Sequence, residues 1–239
     1  MWKKISVLIL GGMISLGVLA NEAFIRKTIE EKMGARVASV TKTPYLNLFE
    51  VYVDGQVLYT DAKVSAIIVG SIIDGKTFAN YTAIRMQQLT AINFSDLPLE
   101  LAIKKVRGNG KRVVASFEDV NCSFCVRLAR EMALLTDITH YVFLYPILSQ
   151  DSLEKSKQVW CSADRAKAWH ELMVEGRQPS APGTCDTSAL QKTIELGHRL
   201  NVTATPTIFL SSGERISGAL PAAELDNRLN QAIQPTRQK

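Results

Sequence analysis

Two cysteines separated by two residues, Cys122 and Cys125, are the side chains whose type and spacing best support chemistry. They follow an apolar, strand-like stretch at 111–117 and open a stretch at 121–135 whose pattern predicts a helix. Unpaired N–H groups and the positive end of the helix dipole stabilise a thiolate at such a position, and the thiolate is the nucleophilic form. A second cysteine one turn later lies close enough to form a disulfide or to attack a mixed one. The spacing predicts thiol–disulfide exchange, with Cys122 attacking and Cys125 resolving.

Two other interpretations of the cysteines fit the pattern less well. A zinc site would need Cys161 and Cys185 as its second half, but these two are far apart in the sequence, unlike the second knuckle of common zinc ribbons. A purely structural Cys122–Cys125 disulfide is disfavoured by the position between a strand and a helix. Four cysteines allow three pairings, and only the short spacing favours Cys122 with Cys125. We expect no metal and no cofactor.

The N-terminal segment predicts export. A short positive start at 2–4 precedes an uncharged stretch at 5–20, and small residues at 18–20 suit cleavage before Asn21. The alternative is an uncleaved membrane anchor, but the stretch is shorter than the roughly 20 residues that a spanning helix needs. We therefore expect a signal peptide at 1–20 and a periplasmic location, where disulfides are permitted.

The composition sets the broad class. With 46% hydrophobic and 21% charged residues, the chain is typical of a globular protein rather than a disordered one. Its 239 residues suit one or two domains. The net charge of +5 is not gathered into a basic run, so no nucleic-acid partner is expected.

A small N-terminal unit is expected after the signal. A helix is predicted from Glu22, with Asn21 as its N-cap and Gly34 as its stop. Its apolar stripe consists of Ile25, Ile29 and Met33. Strand-like runs follow, and the Asp54-Gly55 pair between two of them is a strong hairpin signal. These runs are 46–53, 56–59, 66–69 and 71–73.

The apolar run at 66–69 would be an aggregation risk as a bare edge strand. Two interpretations stay open, a dimer seam and a buried core strand. So small a unit would be marginal alone, which makes an oligomeric contact plausible.

The remainder predicts an α/β unit behind a helix at 80–92 and a break at 96–98. Besides the two elements around the cysteines, the expected strands are 141–148, 207–210 and 214–217, and the expected helices are 154–174, 190–200 and 221–233.

Four segments, taken in order, make the chain resemble the DsbC/DsbG family of periplasmic disulfide isomerases, closer to DsbC. They are FEDVNCSFC at 117–125, VWCSAD at 159–164, APGTCD at 181–186 and TATP at 203–206. The resemblance covers essentially the whole mature chain. It implies an α+β protein with an N-terminal dimerisation domain of one helix and antiparallel strands at 21–76, and a linker helix at 77–95. A C-terminal thioredoxin-like catalytic domain with a helical insertion would occupy 96–239.

The resemblance also implies roles for residues and partners. Cys122 would attack wrong disulfides in misfolded or mis-oxidised exported proteins, and Cys125 would release stalled intermediates. Thr205 and Pro206 would form a cis-proline loop that binds the substrate beside the attacking sulfur. Cys161 and Cys185 would form a second, structural disulfide. The chain would be a homodimer, kept reduced by a DsbD-like membrane thiol reductase.

The chain departs from the family pattern at the motif itself. Ser123 and Phe124 stand where DsbC usually has Gly and Tyr, which leaves the redox potential and the isomerase efficiency open. The segment 94–110 also looks longer than a minimal linker. A disulfide oxidase, and a non-catalytic chaperone or binding module, therefore stay as alternative functions.

Other polar residues carry weaker hypotheses. Glu118 and Asp119 are expected to be exposed turn acids, although a buried acid beneath the cysteine pair could assist proton transfer. The scattered residues His140, His170 and His198 are expected to be surface or half-buried.

Overall fold

The computed structural model describes residues 14–233, and the chain divides between Leu89 and Thr90 into two compact units. The first unit contains two helices and a four-stranded antiparallel sheet of order β1-β2-β3-β4. Its elements are α1 (Ile14–Met33), β1 (Val37–Lys42), β2 (Phe49–Val53), β3 (Gln56–Thr60), β4 (Ile67–Val69) and α2 (Tyr81–Thr90).

Helix α1 packs on this sheet through Ile25 and Ile29, which are fully buried. The prediction that Met33 completes the buried stripe is wrong, because its side chain, in the last turn of the helix, is 48% exposed. The predicted start at Glu22 is also wrong: the helix already runs from Ile14, so Asn21 lies inside it and cannot be its cap. No proline interrupts residues 14–20, so nothing in them stops the helix. Residues 1–13 of the predicted signal segment lie outside the described part.

The predicted hairpin at Asp54-Gly55 is confirmed. Both residues have positive φ, 48° and 78°, as a two-residue type I′ turn requires, and β2 and β3 pair on either side of it. Strand β2 begins at Phe49 rather than at Leu46, because Leu46 and Asn47 also have positive φ and leave the extended conformation.

Strand β4 forms an edge of this sheet and is exposed. Ile67, Ile68 and Val69 are 42%, 47% and 74% exposed, so within the chain the run is not a buried core strand. The predicted strand at 71–73 is wrong, since only an isolated bridge between Ile73 and Asn80 occurs there.

Helix α2 is tied to the N-terminal sheet by polar contacts. The hydroxyls of Tyr59 and Thr82 lie 2.6 Å apart. The Arg85 guanidinium donates to both carboxylate oxygens of Glu50, whose side chain is completely buried. Such a charge needs its partner in order to remain inside the protein.

The second unit is a five-stranded mixed sheet of order β5-β7-β6-β8-β9 with helices packed on it. Its elements are β5 (Ile103–Arg107), β6 (Arg112–Glu118), α3 (Ser123–Met132), β7 (Ile138–Leu144), α4 (Gln150–Cys161), α5 (Arg165–Met173), α6 (Ser188–Arg199), β8 (Thr207–Leu210), β9 (Arg215–Ser217) and α7 (Ala222–Ala232). With two sheets and seven α-helices in the described residues, the predicted α+β class is confirmed.

Strand β6 is central and pairs parallel with β7 and antiparallel with β8. Its side chains alternate between two cores. Ala115 and Phe117 enter one core, where Phe117 stacks on Phe143 with ring centroids 4.8 Å apart. Ser116 and Glu118 alternate with them and so face the opposite side of the sheet.

Two sequence predictions fail in the second unit. The single helix expected at 154–174 is two helices, α4 and α5, because the Asp164 side chain accepts the backbone N–H of Lys167 and caps a new helix. The sequence pattern predicts no strand in the segment 94–110, but β5 lies within it and adds an antiparallel edge beside β7. None of the helices in residues 14–233 is long and apolar enough to cross a membrane.

Candidate active site

The two motif cysteines lie where central strand β6 passes into helix α3. Cys122 is the N-cap residue, with an extended backbone, and its carbonyl accepts the first helical hydrogen bond from Val126 at 3.0 Å. Cys125 is one turn inside the helix. Both thiols are free, and both are buried, with Cys122 8% exposed and Cys125 not exposed at all. A nearly buried sulfur at a helix N-terminus is thus backed by a fully buried one.

The loop before β8 faces the first sulfur. The Thr205–Pro206 peptide bond is cis. The Cys122 thiol donates to the Thr205 carbonyl at 3.3 Å. Two further hydrogen bonds hold the loop. The Thr207 hydroxyl donates to the Ala204 carbonyl at 2.8 Å, and the backbone N–H of Gly218, just after β9, donates to the Pro206 carbonyl at 2.8 Å. The structure therefore brings Cys122, Cys125, Thr205 and Pro206 together, although they are far apart in the chain.

Asp119 anchors the turn that carries Cys122. It is completely buried, and its Oδ1 accepts the backbone N–H of Asn121 at 2.8 Å. Its Oδ2 accepts the N–H groups of Ile147 and Leu148, both at 2.9 Å, from the loop after β7. One carboxylate thus joins two loops, and the expectation that this residue is an exposed turn acid is wrong. The signal that sequence reasoning missed is its place directly after a central strand.

A polar row lies beneath the cysteines, on the face of the sheet that packs against α3 and α5. Glu118 is not exposed, and its Oε1 accepts the Ser116 hydroxyl at 2.6 Å. The Ser116 oxygen also lies 2.7 Å from His140 Nε2, which is 3.7 Å from Glu118 Oε1. Directly opposite His140 in the β5–β7 register is Lys105, whose ammonium lies 3.6 Å from the centre of the Trp169 ring. The row crosses three strands and is bounded by helix α5.

This row corrects two sequence expectations. Glu118 was expected in an exposed turn and His140 at or near the surface, but both are buried, at 0% and 1% exposure. The other two histidines are as expected, with His170 partly buried and His198 exposed. Tertiary pairing explains the difference, since the row exists only once β5, β6 and β7 are aligned.

Burial dominates the electrostatics of the row. It raises the pKa of Glu118 from 4.5 to about 7, against the Ser116 hydrogen bond and the charge of Lys105, which both lower it. Burial lowers the pKa of Lys105 from 10.5 to about 8, and it lowers that of His140 to about 3, so the imidazole is neutral at working pH. Burial also raises the pKa of Cys125 far above its ordinary value, and the charge of Glu118 adds to the rise. The Cys125 thiol therefore cannot ionise by itself near neutrality.

Cys161 and Cys185 lie apart from this centre and are joined to each other. Their disulfide links the end of α4 to the loop before α6, with Cα atoms 5.6 Å apart. The described residues contain no group of three or more His, Cys, Asp or Glu side chains that could hold a metal ion. What this arrangement supports is nucleophilic sulfur chemistry by a dithiol, with a buried carboxyl as the nearby proton acceptor.

Two family models match the chain. Residues 99–233 match the thioredoxin-like domain, and residues 17–83 match the N-terminal domain of disulfide bond isomerase proteins. The matches cover both compact units and agree with the fold described above.

Curated relatives and a solved structure agree with the family models. The chain is 45% identical over 196 residues to the probable thiol:disulfide interchange protein DsbC of Bordetella pertussis, covering 82% of this chain and 69% of the relative. It is 27% identical over 216 residues to the thiol:disulfide interchange protein DsbC of Escherichia coli, covering 89% of each. A crystal structure of a disulfide interchange protein from Neisseria gonorrhoeae superposes with a TM-score of 0.56 at 39% identity, over 58% of this chain and all of that one.

Proposed function

Because this chain belongs to the DsbC family of thiol:disulfide interchange proteins, we propose that it isomerises or reduces incorrect disulfides of exported proteins in the periplasm through Cys122 and Cys125. One observation carries the proposal. A nearly buried thiol at a helix N-terminus lies 3.3 Å from the carbonyl before a cis-proline, with a second free thiol one turn behind it.

The chemistry begins with Cys122. Its thiolate attacks one sulfur of a client disulfide; the mixed disulfide forms, and the other client sulfur leaves as a thiolate. In isomerisation, a different client thiolate attacks the client sulfur of the mixed disulfide and Cys122 leaves unchanged. In reduction, Cys125 attacks the Cys122 sulfur and the client leaves as a thiolate. The Cys122–Cys125 disulfide is then reduced again by a membrane thiol reductase of the DsbD kind.

Glu118 serves the reductive step. Cys125 is buried and its pKa is raised, so it must lose its proton to a base before it attacks. Glu118 has a pKa raised to about 7 and one carboxyl oxygen, Oε2, without a hydrogen-bond partner. A base with such a pKa accepts the proton near neutrality and gives it up again afterwards.

The client is held beside Cys122 by backbone and apolar contacts. Thr205 and Pro206 supply the backbone edge next to which an extended client segment pairs. Three exposed apolar side chains lie around the motif: Phe124 within it, at 59%, and Ile147 and Leu148, at 39% and 55%, in the loop bound by Asp119. Such a surface suits unfolded segments, which expose apolar side chains.

The N-terminal unit provides the homodimer. We assign residues 21–76 to dimerisation, 77–95 to the linker and 96–239 to catalysis, behind a signal peptide at 1–20. The exposed β4 edge has unpaired backbone groups and three apolar side chains, which a second copy would cover. The Cys161–Cys185 disulfide has a structural role, because it lies apart from the reactive pair.

Turnover of a scrambled multi-disulfide protein tests the activity. We expect the chain from Asn21 onward to restore native pairing, and Cys122→Ala to be inactive. Cys125→Ala should keep part of the isomerase activity but accumulate mixed disulfides, because its release step is missing. An intact protein that only oxidises a reduced client would favour an oxidase. One that only suppresses aggregation, equally well as Cys122→Ala, would favour a chaperone.

The dimer is tested separately by sedimentation. Ile68→Lys on the β4 edge should yield monomers, because it buries a charge in the proposed seam. The matched control is Val106→Lys, which places the same charge at an exposed apolar position of the edge strand β5. A dimer that survives Ile68→Lys as well as Val106→Lys would exclude the β4 seam.

A further inference from the structure

Glu118 takes part in a hydrogen-bonded chain that leads away from the cysteines. In the described residues, Ser116 is the hydrogen-bond partner of its carboxyl, through Oε1, whereas Oε2 has none. The Ser116 oxygen continues to His140 Nε2 at 2.7 Å. The other ring nitrogen, Nδ1, is buried and has no hydrogen-bond partner. The carboxyl thus has one oxygen without a hydrogen-bond partner and one oxygen engaged in a route to an imidazole.

The imidazole lies at a cavity. His140 lines a cavity of about 240 Å³ together with Lys105, Arg107 and His170. Arg107 is exposed, so the cavity opens to solvent on the β5 side of the sheet. Glu118 is completely buried and does not line this cavity, whereas His140, also buried, does line it, so water that enters the cavity comes closer to the imidazole than to the carboxyl.

We propose that Ser116 and His140 form a proton relay that carries the proton of Glu118 to this cavity and so restores its carboxylate. Both are then positioning residues for the release step. The inference rests on the proposed role of Glu118 as the base for Cys125. Cys125 gives its proton to Oε2, and a half-turn of the carboxyl about its Cγ–Cδ bond brings the protonated oxygen to Ser116. The carboxyl then passes its proton to Ser116 Oγ, the Ser116 hydroxyl passes its own to His140 Nε2, and Nδ1–H passes one to a water that enters from the cavity. The result is a Glu118 carboxylate, a neutral His140 of the other tautomer and one proton in solvent.

The charged and titratable groups around Glu118 are consistent with a neutral relay. Lys105 faces it from β5, Cys125 from α3 and His140 from β7. Because burial and the charge of Lys105 both lower the pKa of His140, the imidazole does not store the proton as a cation. It exchanges one proton for another, as a relay requires.

The test separates the two thiol steps in one trace. The reduced protein is mixed rapidly with excess of an aryl disulfide of nitrobenzoate. A first coloured thiolate is released when Cys122 attacks, and a second when Cys125 attacks the mixed disulfide. Below the pKa of Glu118, some molecules start with this carboxyl protonated and must discharge it first.

We expect one exponential for the second release in the wild type. In His140→Phe it should split, with a slow phase about tenfold slower or more, whose amplitude follows the protonated fraction of Glu118 with pH. In Ser116→Ala the second release should split into two phases in the same way, and this variant tests the relay even if His140→Phe does not fold. Ser116→Thr keeps a hydroxyl and should restore the single phase.

His170→Phe is the matched control, because His170 lines the same cavity without a bond to Ser116, and it should stay single-phased. A single phase in both His140→Phe and Ser116→Ala would overturn the relay. A slow phase found in Lys105→Met and not in His140→Phe would overturn it as well, in favour of an exit through the lysine. Glu118→Gln tells the two proposals apart. If it slows the second release while His140→Phe does not, only the relay is wrong; if it has no effect, the proposed base is wrong too.

Discussion

Replacing Glu118 by Gln should remove a loss of folding free energy that the wild type undergoes as the pH rises toward neutrality. The substitution keeps the side-chain size and removes a buried ionisable group whose pKa rises from 4.5 to about 7 on folding. A group that binds its proton more tightly in the folded state stabilises the protein fully below its unfolded pKa, and this contribution is lost as the pH rises through the folded pKa. In the wild type, stability from Glu118 is therefore lost between pH 4.5 and about 7.

The size of the loss follows from the shift. Each pKa unit corresponds to about 1.4 kcal/mol, so the Glu118 shift costs the wild type about 3 kcal/mol by neutral pH. Glu118→Gln should escape this cost. Its free energy of unfolding, relative to that of the wild type, should rise by about 2 to 3 kcal/mol between about pH 5 and about pH 8.

Neighbouring groups do not change the sign. The His140 pKa is lowered by burial and by Lys105, not by Glu118, so its contribution cancels between the two proteins. Glu118 raises the pKa of Lys105, so its removal lowers that pKa further. A base with a lowered folded pKa makes stability rise with pH, which adds to the expected difference.

The assay is urea unfolding of the reduced proteins at several pH values, followed by tryptophan fluorescence. Trp160 and Trp169 are both buried in the catalytic unit and report its unfolding. Glu100→Gln, at an exposed position, controls for the change in net charge. If the wild-type and Glu118→Gln stability curves run parallel over the whole pH range, the folded carboxyl does not titrate near 7 and Glu118 is not the base for Cys125.

Three further predictions concern the frame around the site. Cys161→Ser removes the disulfide to Cys185 and should lower the free energy of unfolding, measured with denaturant, by about 3 kcal/mol, as expected for a closed loop of this length. The rate of thiol exchange at Cys122 in the folded protein should not change, and a large loss of that rate would contradict a purely structural role. Gly197→Ala should destabilise the unit by about 1–3 kcal/mol, because the added Cβ would lie 2.4 Å from the ring of Tyr145; an unchanged melting temperature would show that the ring yields. Asp119→Asn should cost about 2 kcal/mol by leaving backbone N–H groups of the loop after β7 without an acceptor; hydrogen exchange in that loop should quicken, and unchanged protection would contradict the anchor.

The local chemistry of the motif could be predicted from the sequence. Cys122 and Cys125 are one helical turn apart, and the helix that begins at Ser123 needs only its own residues to place one thiol at its N-terminus and the other inside. The Asp54-Gly55 turn is predictable for the same reason, because its positive φ values depend on neighbouring residues alone. The predicted bounds are wrong at some element ends, such as the start of α1, because the hydrogen bonds that set such an end involve residues outside the apolar stripe.

Contacts between distant segments were decided by the tertiary structure. Strand β5 has little signal of its own, yet its pairing with β7 sets Lys105 opposite His140. The parallel pairing of β6 with β7 then brings His140 to Ser116 and so to Glu118. Burial of these groups shifts their pKa values, and burial is a property of the assembled sheet and helices, not of any one segment. The sequence by itself determined which sulfur attacks; the base beneath it and the route to that base arise only when three strands are aligned.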